Sequence, residues 1–362
     1  MNAAFPIADP KDETLPAQRP EQEPAQHLRP GDVLLFHGHG ALSWAIRRFE
    51  ESDVDDAAIV LDPETMATAT VSGLQRLAIE PAIDESAFTY VCRLARDVDA
   101  RPVALAARSL MEIHDLSVHE RVILLGVLGM TRRLPIEEPT CRRLLQRLLD
   151  LAAEMVHALA GAGRQLMVAS ELAYRSFEGT GDPAFSVETL LPSEKVRASA
   201  TAVRRNDLRD AALMEWSLER FPPEPADPSS LTAATSDLRS LERRAKDELT
   251  PLIRDFSMVD SPHDPFVAGH GSDGPIGVSA EVTDDDLQAS VVRFRDQIVR
   301  LAVAPDPLAG GALDHPWGMF RAVTSFVTPG DLRYSPSLRL VASLRPRRPD
   351  VPSWAPRDLS TG

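Results

Sequence analysis

Few residues in this 362-residue chain have the chemistry of a nucleophile, a base or a metal ligand, and their spacing argues against most of them. His37 and His39 in FHGHG alternate on a short glycine-bearing stretch, a separation that holds a metal ion only with a third ligand, and none lies nearby in sequence. An exposed turn is the simpler reading. His114 and His119 stand five apart, which puts them on different faces of a helix. The string HERVI at His119 begins like the zinc motif HExxH, but its fifth residue is Ile123, so the second imidazole is missing. His263 and His270 fall in a stretch rich in Gly, Ser, Asp and Pro, where solvation is the default. Cys92 and Cys141 form no CxxC pair, which excludes a disulfide framework or a four-cysteine zinc site and suits a reducing compartment. Cys92 lies in the β-rich run FTYVCRL and reads as a small buried hydrophobe. Cys141 opens a helix, where a thiolate is favoured, so its reactivity stays open. Neither a metal nor a cofactor site is expected.

The organisation of several blocks is more telling. The opening LRPGDVLLFHGHGALSWAIRRFEESDVDDAAIVLD (Leu28 to Asp62), MATATVSGLQR (Met66 to Arg76), HERVILLGVLGMTRRLP (His119 to Pro135), LMVASELAYRSF (Leu166 to Phe177) and FVTPGDLRYSPSLRLVASL (Phe326 to Leu344) follow one another along the chain. In this order they resemble the permuted papain-like amidohydrolases, the YiiX type within the NlpC clan. The resemblance implies a permuted papain-like α+β fold, with a small antiparallel sheet packed against a helical subdomain. It also implies a catalytic cysteine at the start of the helix that reads CSEL in the family, a histidine on the second strand and a glutamate on the third.

At those three positions this chain carries Ala169, Asp56 and Thr68. An alanine methyl has no lone pair and no acidic proton, so thiolate attack cannot occur there. Aspartate, with a reference pKa of ~3.9, is a far weaker base than imidazole near neutral pH. The resemblance therefore leaves the catalytic set empty. Ser170, next to Ala169, is expected to cap the helix by accepting a backbone N–H, since no histidine is placed to activate it. His37 is retained as a residue bordering the vacated cleft, with Ser170 beside it.

Composition narrows the partners. Fifty-four acidic against 39 basic residues give a formal charge of −15, which repels phosphate backbones and anionic headgroups, so nucleic acid is not an expected partner. The most apolar stretch, Val122 to Met130, is nine residues long against the ~20 that span a bilayer, so no transmembrane segment is expected. Residues 1–27, rich in Pro, Glu, Gln and Ala, lack a signal-peptide pattern and read as a disordered tail, which points to a cytoplasmic protein.

The periodicities supply the scaffold. GDVLLF, AAIVLD and TYVCRL are short β-rich runs bounded by breakers. Leu42, Ala45, Ile46 and Phe49 mark one helical face, and Leu144, Leu145, Leu148, Leu149 and Ala152 mark another. Residues 102–178 read as helical almost throughout, and 197–221 as a second helical block ended by FPPEPADPSS. SDLRSLERRAKDELTPLIRDF has the mixed charges of a solvated surface helix. Thr283 with Asp286, and Thr328 with Pro329 and Asp331, have the spacing of helix-starting capping boxes. One domain over residues 28–345, with an insertion at about 222–282 and a Pro-rich tail over 346–362, accounts for the length.

Three functions follow from this reading. The first is a catalytically inactive relative that binds a small-molecule or protein ligand, of unknown identity, in the vacated cleft. A hydrolase of amide or ester bonds with a displaced nucleophile (Ser170, Cys141 or a metal at His37 and His39) is the second, its cell-wall peptide or acyl-lipid substrates inherited from the resemblance. The third is a structural or interaction protein.

Overall fold

The computed structural model describes residues 28–70, 73–113, 121–161, 167–189, 211–213, 238–260, 281–303 and 327–346. The N-terminal tail, the tail beyond 346, the four histidines at 114, 119, 263 and 270, and most of the 197–221 block lie outside them.

Alternating apolar runs build an antiparallel sheet of six strands: β1 (Val33–Gly38), β2 (Asp56–Asp62), β3 (Thr65–Thr70), β4 (Gly73–Ala78), β5 (Ser86–Leu94) and the closing β8 (Leu338–Leu344), in the order β4-β3-β2-β1-β5-β8. Successive residues of a strand point to opposite faces, and both faces of the sheet are covered. Val33, Leu35, Ala57, Ile59, Leu61, Ala67, Tyr90 and Cys92 form one face. Against it pack α3 (Arg101–Ile113), α6 (Ala169–Glu178) and the short α9 (Pro329–Arg333) through Val103, Ala107, Leu172, Ala173, Phe177 and Leu332. Leu34, Phe36, Ala58, Val60, Met66 and Val91 line the other face, closed by Ile79 and Ile83 of α2 (Ile79–Asp84).

A second core is wholly helical. It joins α1 (Ala41–Glu50), α4 (Arg121–Thr131), α5 (Pro139–Gly161), α7 (Leu238–Asp260) and α8 (Asp284–Val303). Every residue from Val122 to Met130 is buried, so this apolar run is a core helix, and no helix among the described residues is long and apolar enough to cross a membrane. At Gly126 a Cβ would stand 2.9 Å from the Phe294 ring and 3.1 Å from the Ala152 methyl, so the glycine permits the close approach of α8 and α5. A two-strand ladder, β6 (Arg133–Leu134) with β7 (Ala211–Ala212), follows α4. The architecture is α+β, an antiparallel sheet packed by helices, as the sequence implies.

One expectation is corrected. The mixed-charge segment at 238–260 is more than a solvated surface helix, because Leu241, Ala245, Leu249, Ile253 and Phe256 form a buried stripe against α5 and α1. Charges dominate its composition, but they lie on the outer face, where Arg244 pairs with Glu154 and Glu248 with Arg147.

Candidate functional site

The helix α6 begins at Ala169, after the extended residue Val168. Ala169 and Ser170 each keep only 1% of their surface. Ser170 is not the helix cap: Val168 holds that position and has no side chain that can accept an N–H. As the second helical residue, Ser170 is turned away from the free amides, and its hydroxyl donates to the Val327 carbonyl at 2.7 Å instead. That bond ties α6 to the segment leading into α9.

The orientation of α6 follows from its neighbours. At its C-terminal end a Cβ on Gly179 would stand 3.4 Å from the Ala106 methyl on α3, and Arg108 of α3 donates to the Leu61 carbonyl near the end of β2. At its other end Val168 enters the helical core beside α1 and α4. Asp56 is the first residue of β2, and its carboxylate accepts from Arg121 of α4 at 2.8 Å and from the Ala57 amide at 2.8 Å. An aspartate engaged in this way holds a guanidinium. Thr68 is buried in β3 and donates to the Ala57 carbonyl at 3.2 Å. Asp56 and Thr68 have the strand parity of Ala58, Val60 and Met66, whereas Ala57, Ile59 and Ala67 face α6.

Strand parity draws attention to Asp55, which the sequence reading passed over. It is fully buried, and one oxygen accepts from the Gly38 amide at 2.6 Å and from Arg47 at 3.1 Å, while the other faces Arg121 at 3.6 Å. A bulge between His37 and Gly38 in the β1–β5 ladder breaks the register next to that amide. Counting back by twos from Leu61 through Ile59 and Ala57 would have placed Asp55, rather than Asp56, on the α6 side. Glu50, the last residue of α1, was also missed. It is buried, and neither carboxylate oxygen has a hydrogen-bond partner. Burial raises its pKa from 4.5 to about 7, with the Asp331 charge adding and the nearby Thr328 hydroxyl, Gly330 amide and Arg132 opposing.

His37 closes a row of rings on the α6 side of the sheet. Its centroid lies 4.5 Å from Phe88, Phe88 lies 4.9 Å from Tyr90, and the Arg333 guanidinium stands 4.6 Å over the Tyr90 ring and 5.6 Å from Tyr334. Asp53 joins the row: it accepts from the Tyr90 hydroxyl at 2.8 Å and from Arg333 at 3.3 Å, and its carbonyl meets His37 Nδ1 at 2.7 Å. Burial, aided by the Arg47 charge, holds the His37 pKa below its ordinary value. Burial and the Asp53 bond push Tyr90 up to about 12. Tyr334 is 53% exposed, so this row reaches the surface.

The remaining candidates are placed plainly. Cys92 is buried on β5 and burial pushes its thiol up to about 12; Cys141 is completely buried in the first turn of α5. No group of three metal-ligating side chains occurs among the described residues.

Over 70 residues the chain is 36% identical to the protein named Probable lipoprotein peptidase YaeF of Escherichia coli (strain K12); the match covers 19% of this chain and 26% of that protein. The shared stretch thus spans about a quarter of the relative. No protein-family model and no solved structure matches the chain.

Proposed function

We propose that this protein is a non-hydrolytic relative of the permuted papain-like amidohydrolases, a module that binds a small-molecule or protein ligand and breaks no bond. The observation that carries the reading is the start of α6, where the methyl of Ala169 stands at the helix N-terminus that the resemblance assigns to a nucleophile. Two further observations support it. Asp56 is engaged by Arg121, and Ser170, the neighbouring hydroxyl, spends its proton on the Val327 carbonyl. A displaced cysteine is disfavoured by the burial of both thiols. The peptidase name belongs to a relative that shares about a quarter of its length with this chain, and hydrolysis is not carried over from it.

The binding surface of this reading is the row formed by His37, Phe88, Tyr90, Arg333 and Tyr334. It combines stacking faces with one cation and the Asp53 carboxylate, groups that fix a ligand's orientation without a reactive atom. Turnover of a panel of peptide and ester substrates by the full chain tests the reading. The expected result is no hydrolysis above background and no alkylation of Cys92 or Cys141 by iodoacetamide in the native state. Hydrolysis that disappears in Ser170→Ala or Cys141→Ala would overturn it. The double variant Ala169→Cys with Asp56→His asks how far the site has drifted. Recovered turnover fits a scaffold that lost only its reactive groups.

A further inference from the structure

The carboxyl group of Glu50 is buried at the junction of the two cores with no well-aligned hydrogen bond, the Thr328 hydroxyl and the Gly330 amide lying close to it. It ends α1, and the turn that opens α9 is pressed against it. A Cβ on Gly330 would lie 2.7 Å from the Glu50 carboxyl carbon and 2.8 Å from Oε1, so only glycine fits over the acid. The donors at the opening of α9 are only loosely placed toward the acid. Thr328 and Asp331 satisfy each other in a closed capping box, in which the Thr328 amide donates to Asp331 at 2.9 Å and the Asp331 amide to Thr328 at 3.3 Å.

The charged and titratable groups facing Glu50 are few among the described residues. From the 327–334 segment come Asp331, itself 3% exposed, and Tyr334; from the end of α4 comes Arg132. When Glu50 is neutral, a carboxyl rests in a dry seat. Loss of its proton to solvent leaves a desolvated anion beside the Asp331 carboxylate, which the Thr328 hydroxyl, the Arg132 charge and the Gly330 amide offset only in part. The seat is then strained at the segment that holds most of the local ties. Val327 accepts from Ser170, Leu332 is fully buried against the sheet, and Arg333 holds Asp53 and covers Tyr90.

We propose that Glu50 is a pH-operated latch on residues 327–334, which seat firmly over the neutral acid and loosen when it ionises, freeing the Val327 carbonyl from Ser170 and Arg333 from Asp53 and Tyr90 together. The latch does not depend on the nature of any ligand, so it stands apart from the proposed function. Burial places the ionisation near pH 7, where a change of one or two pH units acts on it.

Hydrogen exchange of the full chain between pH 5.5 and 8.5, divided by the intrinsic exchange rates, tests this directly. The Tyr334 and Ser335 amides, which donate to Gly330 and Leu332 carbonyls, report on the segment. With a seated value of about 7 and an exposed value of 4.5, the opening constant rises roughly ten-fold from pH 6 to pH 8. Amides of β1 and α5, which open only when the whole fold does, stay better protected than the segment's at every pH in this range. In Glu50→Gln the segment's profile becomes flat. In Asp331→Asn, which removes a neighbouring negative charge, the rise persists with its midpoint at lower pH; this arm also decides the matter if Glu50→Gln does not fold. A flat wild-type profile, an equal rise in Glu50→Gln, or a rise that vanishes in Asp331→Asn would overturn the latch.

Discussion

Glu50 and Asp55 are five residues apart, both acidic and both buried, yet the protein treats them in opposite ways. One oxygen of Asp55 accepts from a backbone amide and from Arg47, and the other faces the Arg121 guanidinium at 3.6 Å without a hydrogen bond. Glu50 has no guanidinium on it and only loosely placed donors, Thr328 and Gly330, at the packed start of α9. A buried carboxylate flanked by two guanidiniums organises its surroundings, because removing it strands the cations as well. A buried carboxyl with only poorly placed donors is a conditional charge, stable in one protonation state and costly in the other. The turn between α1 and β2 therefore joins a rigid corner to a labile one.

The comparison can be broken most forcefully at its fixed end. Asp55→Ala should destabilise the fold by about 3–5 kcal/mol in urea denaturation at pH 7, because Arg47, Arg121 and the Gly38 amide lose a shared acceptor. A loss below 1 kcal/mol would mean that the guanidiniums find other partners. At the labile end the sign is reversed. The folded state keeps the Glu50 proton up to about pH 7 while the unfolded chain releases it near 4.5, so stability is lost as pH rises through that window. Glu50→Gln should then raise stability at pH 8 by up to about 3 kcal/mol and change little at pH 4, as read from paired denaturation curves. Gly330→Ala comes next, at about 1–3 kcal/mol of overpacking, and its cost should shrink in the double variant with Glu50→Ala. Ser170→Ala removes one buried hydrogen bond to Val327 and should cost about 1 kcal/mol in thermal or urea unfolding. The exposed pair Asp99–Arg101 supplies the floor: Arg101→Ala should leave the melting temperature unchanged.

The elements were legible where local chemistry decides them. The runs GDVLLF, AAIVLD, TYVCRL and LRLVASL are strands, and the spacing from Leu42 to Phe49 belongs to a helix whose inner face is buried. Both capping boxes form, at Thr283 with Asp286 and at Thr328 with Asp331. By contrast, β4 carries the mostly exposed GLQRLA and has no apolar alternation to betray it; it exists because it pairs with β3 at the sheet edge. The site residues were harder still. Glu50 reads in sequence as part of a charged helix end, and only the arrival of α9, some 280 residues later, buries it. Within DVDDAA, three aspartates look alike; strand parity and the bulge at Gly38 decide that Asp55 is enclosed, Asp56 meets Arg121 and Asp53 meets Tyr90. The hydroxyl of Ser170 was assigned to the nearest free amides, whereas its acceptor lies 157 positions away.

The pairing of β5 with β8 has a kinetic implication. Residues 86–94 must wait for residues 338–344 before that side of the sheet is closed. Contacts so distant along the chain form slowly, and an uncovered strand is a template for another molecule. During synthesis β5 emerges long before its neighbour, so nascent chains pass through a period in which Thr89 to Leu94 can pair wrongly. Slow refolding and sensitivity to concentration during refolding should therefore trace to this late ladder.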